Sequence, residues 1–449
     1  MSNGNVREAA LDVLLKVEKN QAYSHLLLND TIKRNKISPK DIGLFTEIVY
    51  GTIQHKKTLD FYISPFVKKP LDKLDQWVKI LLELTVYQTA YLDRIPERAA
   101  FYEAVQIAKK RGHKGISGMV NGVLRSMQRE GLPDVNEIED PIKKLAVKTS
   151  HPEWLVERWI RQYGEKKCEE ICEANLLHPK QSARVNQTKA TLDEVLSLLQ
   201  EEGVTAVPSE VIPEALIVTN GVLSRTRVFK EGFVAIQDES SMIVAHALGA
   251  KEGEHVLDAC AAPGGKSTHI AETMNNTGVI RSLDIHKQKV ALIEEQAGRL
   301  DLTNIQAEKL DARRAHEKFE KESFDRILVD APCSGLGVIK RKPDMKWTKS
   351  EDDVKRLSEI QLAILNSVWS LLKPGGTLVY STCTIDREEN DHVVATFLEN
   401  EPNAQIDPQL PNRLPKRVKP LLNEKGLVQV FPSDFDTDGF FITAVTKKA

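Results

Sequence analysis

The chain has 449 residues, of which 41% are hydrophobic and 28% charged, and its formal net charge is −2. No stretch approaches the roughly 20 consecutive apolar residues of a membrane span, which excludes a helical membrane protein. Five cysteines without a CxxC pair exclude a dense disulfide framework and a structural zinc site. We therefore expect a cytoplasmic, monomeric protein of about three domains with reduced thiols and no metal, since domains average roughly 150 residues.

The first 130 residues are predicted to form an all-α domain. Apolar residues recur at helical spacing through this region, for example over 77–92 and 98–112. Ser38 is predicted to cap a further helix, with Pro39 at its first position, because serine and proline favour these two places. Helices of this length and number can bury a core of their own.

Charge is distributed unevenly along the chain. Residues 1–130 contain 21 Lys and Arg against 14 Asp and Glu, whereas the remaining residues contain 41 against 50. A basic module favours contact with a polyanion, although a solvated lysine-rich surface would give the same counts. Four of the basic residues are predicted to lie at one end of the helical domain: Lys109, Lys110, Arg111 and Lys114.

Residues 131–150 are predicted to be a linker, and residues 151–235 a small α+β module. Cys168 and Cys172 lie one helical turn apart in the module. Two thiols on one helix face could provide half of a metal site, but no second pair is available, and we expect them to pack in the core.

Residues 236–449 are predicted to form an α/β domain. Short β-rich runs alternate with helical segments, which is typical of a doubly wound, mainly parallel Rossmann-like sheet whose ligands bind beyond the carboxyl ends of the strands. The predicted strands lie in the runs EHVLDACA, GVIRSLDI, NIQAEKLDA, FDRILVDAP and GGTLVYSTC.

The ends of these strands indicate a nucleoside-type cofactor. The segment VLDACAAPGGKSTHIAE, residues 256–272, is a strand, a glycine turn and a helix, so the main chain can come close to a ligand. Later strands end near Asp284, Asp311 and Asp330, which brings carboxylates to one rim. Such a rim, without a lysine-bearing phosphate loop, favours cationic S-adenosylmethionine over a dinucleotide and predicts methyl transfer.

Three motifs of this domain resemble the signatures of the RNA cytosine-C5 methyltransferases: DACAAPGGKS, DAPCSGLGVIKRKPDMKW and YSTCT. The helical N-terminus, with MVNGVLR, is similar to the NusB-type RNA-binding domain, and this fusion resembles bacterial small-subunit ribosomal RNA methyltransferases. The resemblance implies a NusB-like bundle, a small α+β module and a Rossmann-like methyltransferase domain. It also implies S-adenosylmethionine as cofactor and small-subunit ribosomal RNA as partner.

The resemblance further implies roles for individual residues. It places the ribose hydroxyls of the cofactor on Asp284, its adenine near Asp311 and its amino group near Asp330. It makes Cys383 the nucleophile and gives Cys333 a part in product release. The loop that it assigns to the methionine end and ribose comprises Cys260, Ala261, Ala262, Pro263, Gly264, Gly265 and Lys266.

A two-cysteine reaction suits the chemistry of cytosine. Carbon 5 is a poor nucleophile, and addition of a thiolate to carbon 6 pushes electron density onto it. Lys266, or an aspartate acting on the ring, could favour this step. The reverse assignment of Cys333 and Cys383 remains an alternative, because DNA cytosine-C5 methyltransferases attack with a Pro-Cys thiol.

Other interpretations also remain open. The same chemistry could act on transfer RNA, or the chain could be a non-catalytic RNA-binding factor of ribosome assembly. A small-molecule methyltransferase would explain the carboxylate rim but neither the basic helical domain nor the cysteine pair. The segment GVIKRKPDMKW, residues 337–347, could hold backbone phosphates or form a solvated loop, through Lys340, Arg341, Lys342 and Trp347.

Overall fold

The computed structural model describes residues 5–20 and 24–448, which fall into two compact units. The first unit comprises Met1–Leu176 together with Lys342–Thr348. The second comprises Leu177–Arg341 and Lys349–Ala449. The chain therefore leaves the second unit for seven residues and then returns to it.

The first unit is all α, as predicted. Its central helix is α5, in which ten of the residues between Val78 and Gln88 are buried. The neighbouring helices pack their apolar faces against it. The helices up to Leu176 are α1 Val6–Asn20, α2 Ser24–Arg34, α3 Ile42–Gln54, α4 Lys56–Ile63, α5 Gln76–Tyr91, α6 Glu97–Arg111, α7 Lys114–Glu130, α8 Pro141–Lys148, α9 Glu153–Tyr163 and α10 Glu165–Ala174.

Helix α3 begins later than the sequence predicts. The carbonyl of Ser38 accepts hydrogen bonds from the amides of Asp41 and Ile42 at 2.8 and 3.2 Å, so Ser38 opens a separate turn. Asp41 flanks the helix, which starts at Ile42. The prediction that Ser38 caps the helix is therefore wrong.

The segment predicted as a linker, residues 131–150, contains helix α8. Asp140 caps this helix by accepting a hydrogen bond from the amide of Lys143 at 2.7 Å. The hydroxyl of Thr58 donates to the carbonyl of Val147, so α8 is held against α4. The segment is thus a folded part of the first unit, and the predicted boundaries at 130 and 150 do not coincide with an edge of either unit.

The first unit also includes helices α9 and α10, which were predicted to belong to the middle module. Cys168 and Cys172 lie on α10 and are completely buried. This confirms the prediction that both cysteines pack in a core.

The second unit begins with a four-stranded antiparallel sheet in the order β2-β3-β1-β4, packed with helix α11. This is the α+β part of the predicted middle module. Its elements are β1 Gln181–Val185, α11 Leu192–Glu201, β2 Thr205–Pro208, β3 Ala215–Asn220, α12 Arg227–Lys230 and β4 Val234–Ile236.

The rest of the second unit is a doubly wound sheet of eight strands, as predicted. Strands β5 to β9 are parallel, in the order β7-β6-β5-β8-β9, and the antiparallel strand β12 extends the sheet beyond β9. Strand β12 pairs in turn with β10 and β11. The elements are α13 Glu239–Leu248, β5 His255–Asp258, α14 Gly265–Thr273, β6 Val279–Asp284, α15 Lys287–Arg299, β7 Ile305–Lys309, β8 Phe324–Asp330, α17 Glu351–Trp369, β9 Leu372–Thr382, α18 Asp391–Asn400, β10 Ala404–Ile406, α19 Leu410–Arg413, β11 Leu427–Val430 and β12 Phe440–Lys447. Helix α16 Met345–Thr348 lies between β8 and α17 in the chain and belongs to the first unit.

The strand order reverses direction between β5 and β8. Open α/β sheets bind ligands beyond the carboxyl ends of the strands at such a point, because the two connecting loops diverge there and leave a crevice. Within residues 5–20 and 24–448, every helix is too short or too polar to cross a bilayer.

Two cations of the predicted phosphate-binding segment are paired inside the second unit. Lys340 is buried and its Nζ lies 2.5 Å from Asp436. Arg341 pairs with Asp438 at 2.8 Å and also with Asp238. Both side chains are therefore occupied by protein carboxylates.

The end of the same segment belongs to the first unit. The Nζ of Lys346 donates to the carbonyl of Gln54 at 2.8 Å, and the indole of Trp347 donates to the carbonyl of Ile53 at 2.7 Å. Among the four residues predicted to contact phosphates, Lys342 is the exposed one. The side chains of the other three have protein partners, and phosphate contact through this segment stays a prediction.

Candidate active site

The site is built on the turn that follows β5. Gly264 has a φ of +104°, and a Cβ there would come within 3.1 Å of the Cα of Ile293, so only glycine fits without strain. A Cβ on Gly265 would meet nothing within 4 Å. The start of α14 therefore faces open space at the carboxyl edge of the sheet.

Asp258, the last residue of β5, lies buried beneath this turn. Its Oδ2 accepts a hydrogen bond from Ser267 at 2.6 Å, and Ser267 accepts one from Ser282 at 2.9 Å. Burial raises the pKa of Asp258 to about 7, although the bond from Ser267 opposes the shift. Its Oδ1 is buried and has no partner among the described residues.

The carboxylates of Asp284 and Asp311 differ in how many of their oxygens have hydrogen-bond partners in the protein. Asp284 ends β6, and its Oδ1 accepts from the amide of His286 at 2.8 Å, while its Oδ2 has no partner in the part of the chain that the structure describes. Asp311 lies two residues beyond β7 and binds the guanidinium of Arg313 at 2.6 to 3.1 Å. The hydrogen bond from Arg313 lowers the pKa of Asp311.

Asp330 and Lys266 form an ion pair at the centre of the rim. The Nζ of Lys266 lies 2.8 Å from Oδ2 of Asp330, whose Oδ1 accepts from Ser381 at 2.9 Å. The same Nζ lies 5.0 Å from the ring centroid of Phe440. Burial alone would lower the pKa of Lys266, but the charge of Asp330 raises it above its ordinary value, so the amine remains cationic.

Cys333 and Cys383 meet beside this pair. Cys383 follows the last residue of β9, Cys333 follows the end of the neighbouring strand β8, and their Sγ atoms are 3.3 Å apart. The amide of Gly337 donates to the carbonyl of Cys383 at 3.0 Å. A Cβ on Gly337 would lie 2.1 Å from the carbonyl oxygen of Gly439, so glycine is required for this approach.

The thiols have different electrostatic surroundings. The hydrogen bond with Cys383, burial and the negative charges of Cys383 and Glu389 all raise the pKa of Cys333. Burial and the surrounding aspartates raise the pKa of Cys260. The charge of Cys383, in contrast, is among those that interact favourably with Lys266. Cys383 is therefore the thiol whose ionised form has a cation to stabilise it.

Four polar residues behind the cysteines were missed by the sequence analysis: Ser334, Gln361, Thr384 and Glu389. All four are completely buried. The only signal was a hydroxyl residue directly after each cysteine, in PCS and TCT. Glu389 and Gln361 gave no signal because they reach the site from distant parts of the chain.

The sequence predicts no metal, and the described residues contain one group of possible ligands, Glu214, His246 and His269. The Nε2 atoms of His246 and His269 lie 2.8 and 3.1 Å from the same oxygen of Glu214. Direct hydrogen bonds between the imidazoles and the carboxylate account for this group.

The chain was compared with known families and proteins. The family described as 16S rRNA methyltransferase RsmB/F matches residues 245–446, the NusB family matches 4–129, and a RsmF/B-like ferredoxin-like domain matches 151–223. The probable ribosomal RNA small subunit methyltransferase B of Bacillus subtilis is 55% identical over 448 residues, covering 100% of both chains. The chain belongs to the RsmB/F family. Membership confirms the three predicted domain types and implies an S-adenosylmethionine-dependent rRNA methyltransferase.

Further relatives agree with this assignment. The ribosomal RNA small subunit methyltransferase B of an Enterobacter species is 34% identical over 450 residues and covers 100% of both chains. Among solved structures, PH0851 has a TM-score of 0.84 and 28% identity, covering 100% of this chain and 99% of its own. NSun6 from Pyrococcus horikoshii with SFG, at 22% identity and a TM-score of 0.58, shares the fold over 66% of this chain and 98% of its own.

Proposed function

We propose that this member of the RsmB/F family methylates carbon 5 of a cytosine in small-subunit ribosomal RNA, with Cys383 as the nucleophile and Cys333 assisting release. The observation that carries the proposal is the 3.3 Å approach of the two thiols beside the Lys266–Asp330 pair. Methyl transfer to a nitrogen or oxygen needs no thiol, whereas transfer to carbon 5 needs one to attack and a group to complete elimination.

The carboxyl rim fits S-adenosylmethionine. When bound, this cofactor supplies an electrophilic methyl group on a cationic sulfonium. The open space at Gly265 and the unpartnered Oδ2 of Asp284 suit a ribose whose hydroxyls donate to that carboxylate. The loop Cys260–Lys266 would hold the methionine end. Asp311 would hold the adenine in place of its partner Arg313. Asp330 would hold the amino group in place of its partner Lys266.

Attack begins with the thiolate of Cys383. A free thiol of pKa ~8.5 is only a few per cent ionised at pH 7, and the neighbouring cation of Lys266 favours ionisation. The sulfur adds to carbon 6 of the cytosine, and the electron pair of the ring double bond moves onto carbon 5. Carbon 5 then takes up the methyl group.

Release requires that carbon 5 lose its proton. Once Cys383 is bonded to carbon 6, its sulfur carries no charge and offers no thiol hydrogen bond, so two of the causes that raise the pKa of Cys333 disappear. The Cys333 thiol can then give up its own proton to solvent more readily, and its thiolate, or a water that it holds, accepts the proton from carbon 5. The carbon–proton electron pair restores the ring double bond and expels the Cys383 thiolate.

The substrate base must expose both faces of its ring, because the thiolate and the methyl group reach it from different directions. It is therefore unstacked, either in a loop or flipped from a helix. The NusB-like first unit, which is basic in its first 130 residues, would supply affinity for the phosphate backbone.

Bisulfite sequencing of small-subunit ribosomal RNA tests the proposal. We expect a strain that lacks this protein to lose a 5-methylcytosine that wild-type protein restores and Cys383→Ala does not. An unchanged 5-methylcytosine pattern in the small-subunit RNA of the deletion strain would contradict the proposal.

A further inference from the structure

The cysteine loops are joined by a buried chain of hydrogen bonds, here called the Glu389 network and consisting of Glu389, Ser334, Thr384 and Gln361. The Oε2 of Glu389 accepts from the amide of Ser334 at 2.8 Å, and its Oε1 accepts from the hydroxyl of Ser334. The hydroxyls of Ser334 and Thr384 are 2.9 Å apart. Because the Ser334 proton points to Glu389, the Thr384 hydroxyl is the donor to Ser334.

We propose that Glu389 is a positioning residue that sets the two reactive thiols relative to each other. The inference rests on the proposed two-cysteine reaction and deepens it. Ser334 directly follows Cys333 in the chain, and Thr384 directly follows Cys383. A single carboxylate thus holds the main chain of one cysteine loop and, through two hydroxyls, the side chain next to the other cysteine.

Other contacts keep this carboxylate in place. The amide of Gln361 donates to Oε2 of Glu389 at 2.9 Å and to the carbonyl of Pro332 at 3.0 Å, so both neighbours of Cys333 are tied to the network. The hydroxyl of Tyr380 donates to the main-chain carbonyl of Glu389 at 2.6 Å, which anchors it to β9. A buried carboxylate held by this many donors has little freedom to move.

The charge of Glu389 also distinguishes the two thiols. Burial raises the pKa of Glu389 to about 7, and its ionised form acts on Cys333 from behind, whereas the cation of Lys266 acts on Cys383. Asp386 on its own segment, Tyr380 on β9 and the two cysteines are the titratable groups that face Glu389. This arrangement keeps Cys333 protonated while Cys383 attacks, and so separates the two roles.

Cross-linking tests the positioning. Diamide accepts two electrons and two protons as two neighbouring thiols become a disulfide, and the rate of Cys333–Cys383 disulfide formation in the folded full chain reports how well the sulfurs are aligned. We expect Glu389→Ala to slow it by about tenfold or more, because small misplacements of reacting groups have large rate effects. Glu389→Gln should not slow it, since its amide can accept from the Ser334 amide and donate to the Ser334 hydroxyl. Glu399→Gln, an exposed change on α18, is the matched control.

The rate of Cys333 alkylation tests the effect of the Glu389 charge on this thiol. In a Cys383→Ala background, the rate at which iodoacetamide modifies Cys333 is followed against pH by peptide mass spectrometry. We expect Glu389→Gln to shift this profile to lower pH by about one unit, the size expected for loss of a nearby charge. Glu399→Gln should not shift it.

The two readouts need no RNA, so they are independent of whether cytosine methylation itself is found. Wild-type cross-linking in Glu389→Ala together with an unshifted Cys333 profile in Glu389→Gln would overturn the proposal. Retained binding of S-adenosylmethionine verifies that a variant is folded. If Glu389→Ala does not bind the cofactor, the pH profile of Cys333 alkylation in Glu389→Gln alone decides whether the proposal stands. If both readouts change as expected but the RNA shows no 5-methylcytosine, the positioning role stands and the proposed substrate is wrong.

Discussion

At the scale of the residue, Asp284 offers the most direct test of the cofactor site. We expect Asp284→Ala to weaken binding of S-adenosylmethionine by about 1 to 3 kcal/mol, because the ribose hydroxyls would be left without their acceptor. Titration calorimetry measures this, with Glu294→Ala on the exposed face of α15 as control. Equal affinity for Asp284→Ala and wild type would remove Asp284 from the site.

Lys266 is predicted to act on Cys383 through its charge. Lys266→Met removes the cation and leaves Asp330 unpaired, so both changes disfavour the thiolate. We expect alkylation of Cys383 by iodoacetamide at pH 7 to slow by about tenfold, which corresponds to roughly one pKa unit. Lys289→Met, on an exposed position of α15, should react like wild type. Unchanged reactivity of Cys383 in Lys266→Met would show that another group favours its ionisation.

The site could be predicted from the sequence where its residues follow strand ends. Asp284, Asp330 and Cys383 were found because each comes at or directly after a predicted parallel strand, and such ends share one edge of a sheet. Glu389 could not be found in this way. It contacts Ser334 across 55 residues, and a glutamate in a polar stretch normally indicates a solvated surface rather than a buried carboxylate.

At the scale of the element, periodicity predicted the long helices and the five parallel strands because each has a buried face or core of its own. The sequence was less informative for short segments whose structure depends on tertiary contacts. Residues 131–150 carry two prolines and many charges, yet α8 forms because it packs on α4. Lys346 and Trp347 looked like part of a basic loop, but they donate to main-chain carbonyls inside the first unit.

Helix α16 yields a prediction about stability and pH. Burial lowers the pKa of Lys346 to about 7, with the charge of Cys172 opposing the shift, whereas an unfolded lysine has a pKa near 10.4. Folding therefore requires Lys346 to lose a proton between these values, and the cost is greatest at or below pH 7. We expect Lys346→Met to raise the free energy of unfolding by about 1 to 3 kcal/mol at pH 7. This figure already allows for the loss of the hydrogen bond from Lys346 to Gln54.

The stability gained by Lys346→Met should become smaller as the pH rises toward 10. Thermal unfolding of the full-length wild type and variant at pH 7 and pH 9 measures this difference. Lys342→Met is the control, because Lys342 lies in the same segment and is exposed. Parallel pH dependences in wild type and Lys346→Met would contradict the lowered pKa.

At the scale of the whole molecule, the positive charge of the first 130 residues predicts where RNA affinity resides. The basic cluster is only partly available, because Lys110 and Arg111 pair with Glu8 and Asp12 of α1. Lys109 and Lys114 are exposed. We expect the double change of these two lysines to glutamine to weaken RNA binding and to lower the slope of log affinity against log salt by about 0.7 to 0.9 for each lysine that contacts a phosphate.

Fluorescence anisotropy with a small-subunit RNA fragment at several salt concentrations gives the slope. Changing Lys68 and Lys69 to glutamine removes the same charge from another exposed place in the first unit. Cofactor affinity should be the same in all variants. Equal slopes for wild type and the Lys109, Lys114 variant would show that RNA binds elsewhere.

The order in which the two thiols act is the central claim, and denaturing gels of protein incubated with small-subunit RNA and S-adenosylmethionine test it most directly. With Cys333→Ala, attack and methylation proceed but elimination stalls, so we predict a denaturation-resistant protein–RNA complex that needs cofactor and contains Cys383. With Cys383→Ala, no bond to carbon 6 forms, and neither complex nor methyl transfer is expected. A stalled complex in Cys383→Ala and not in Cys333→Ala would reverse the assignment. Retained activity in either variant, with no complex in both, would contradict the covalent mechanism.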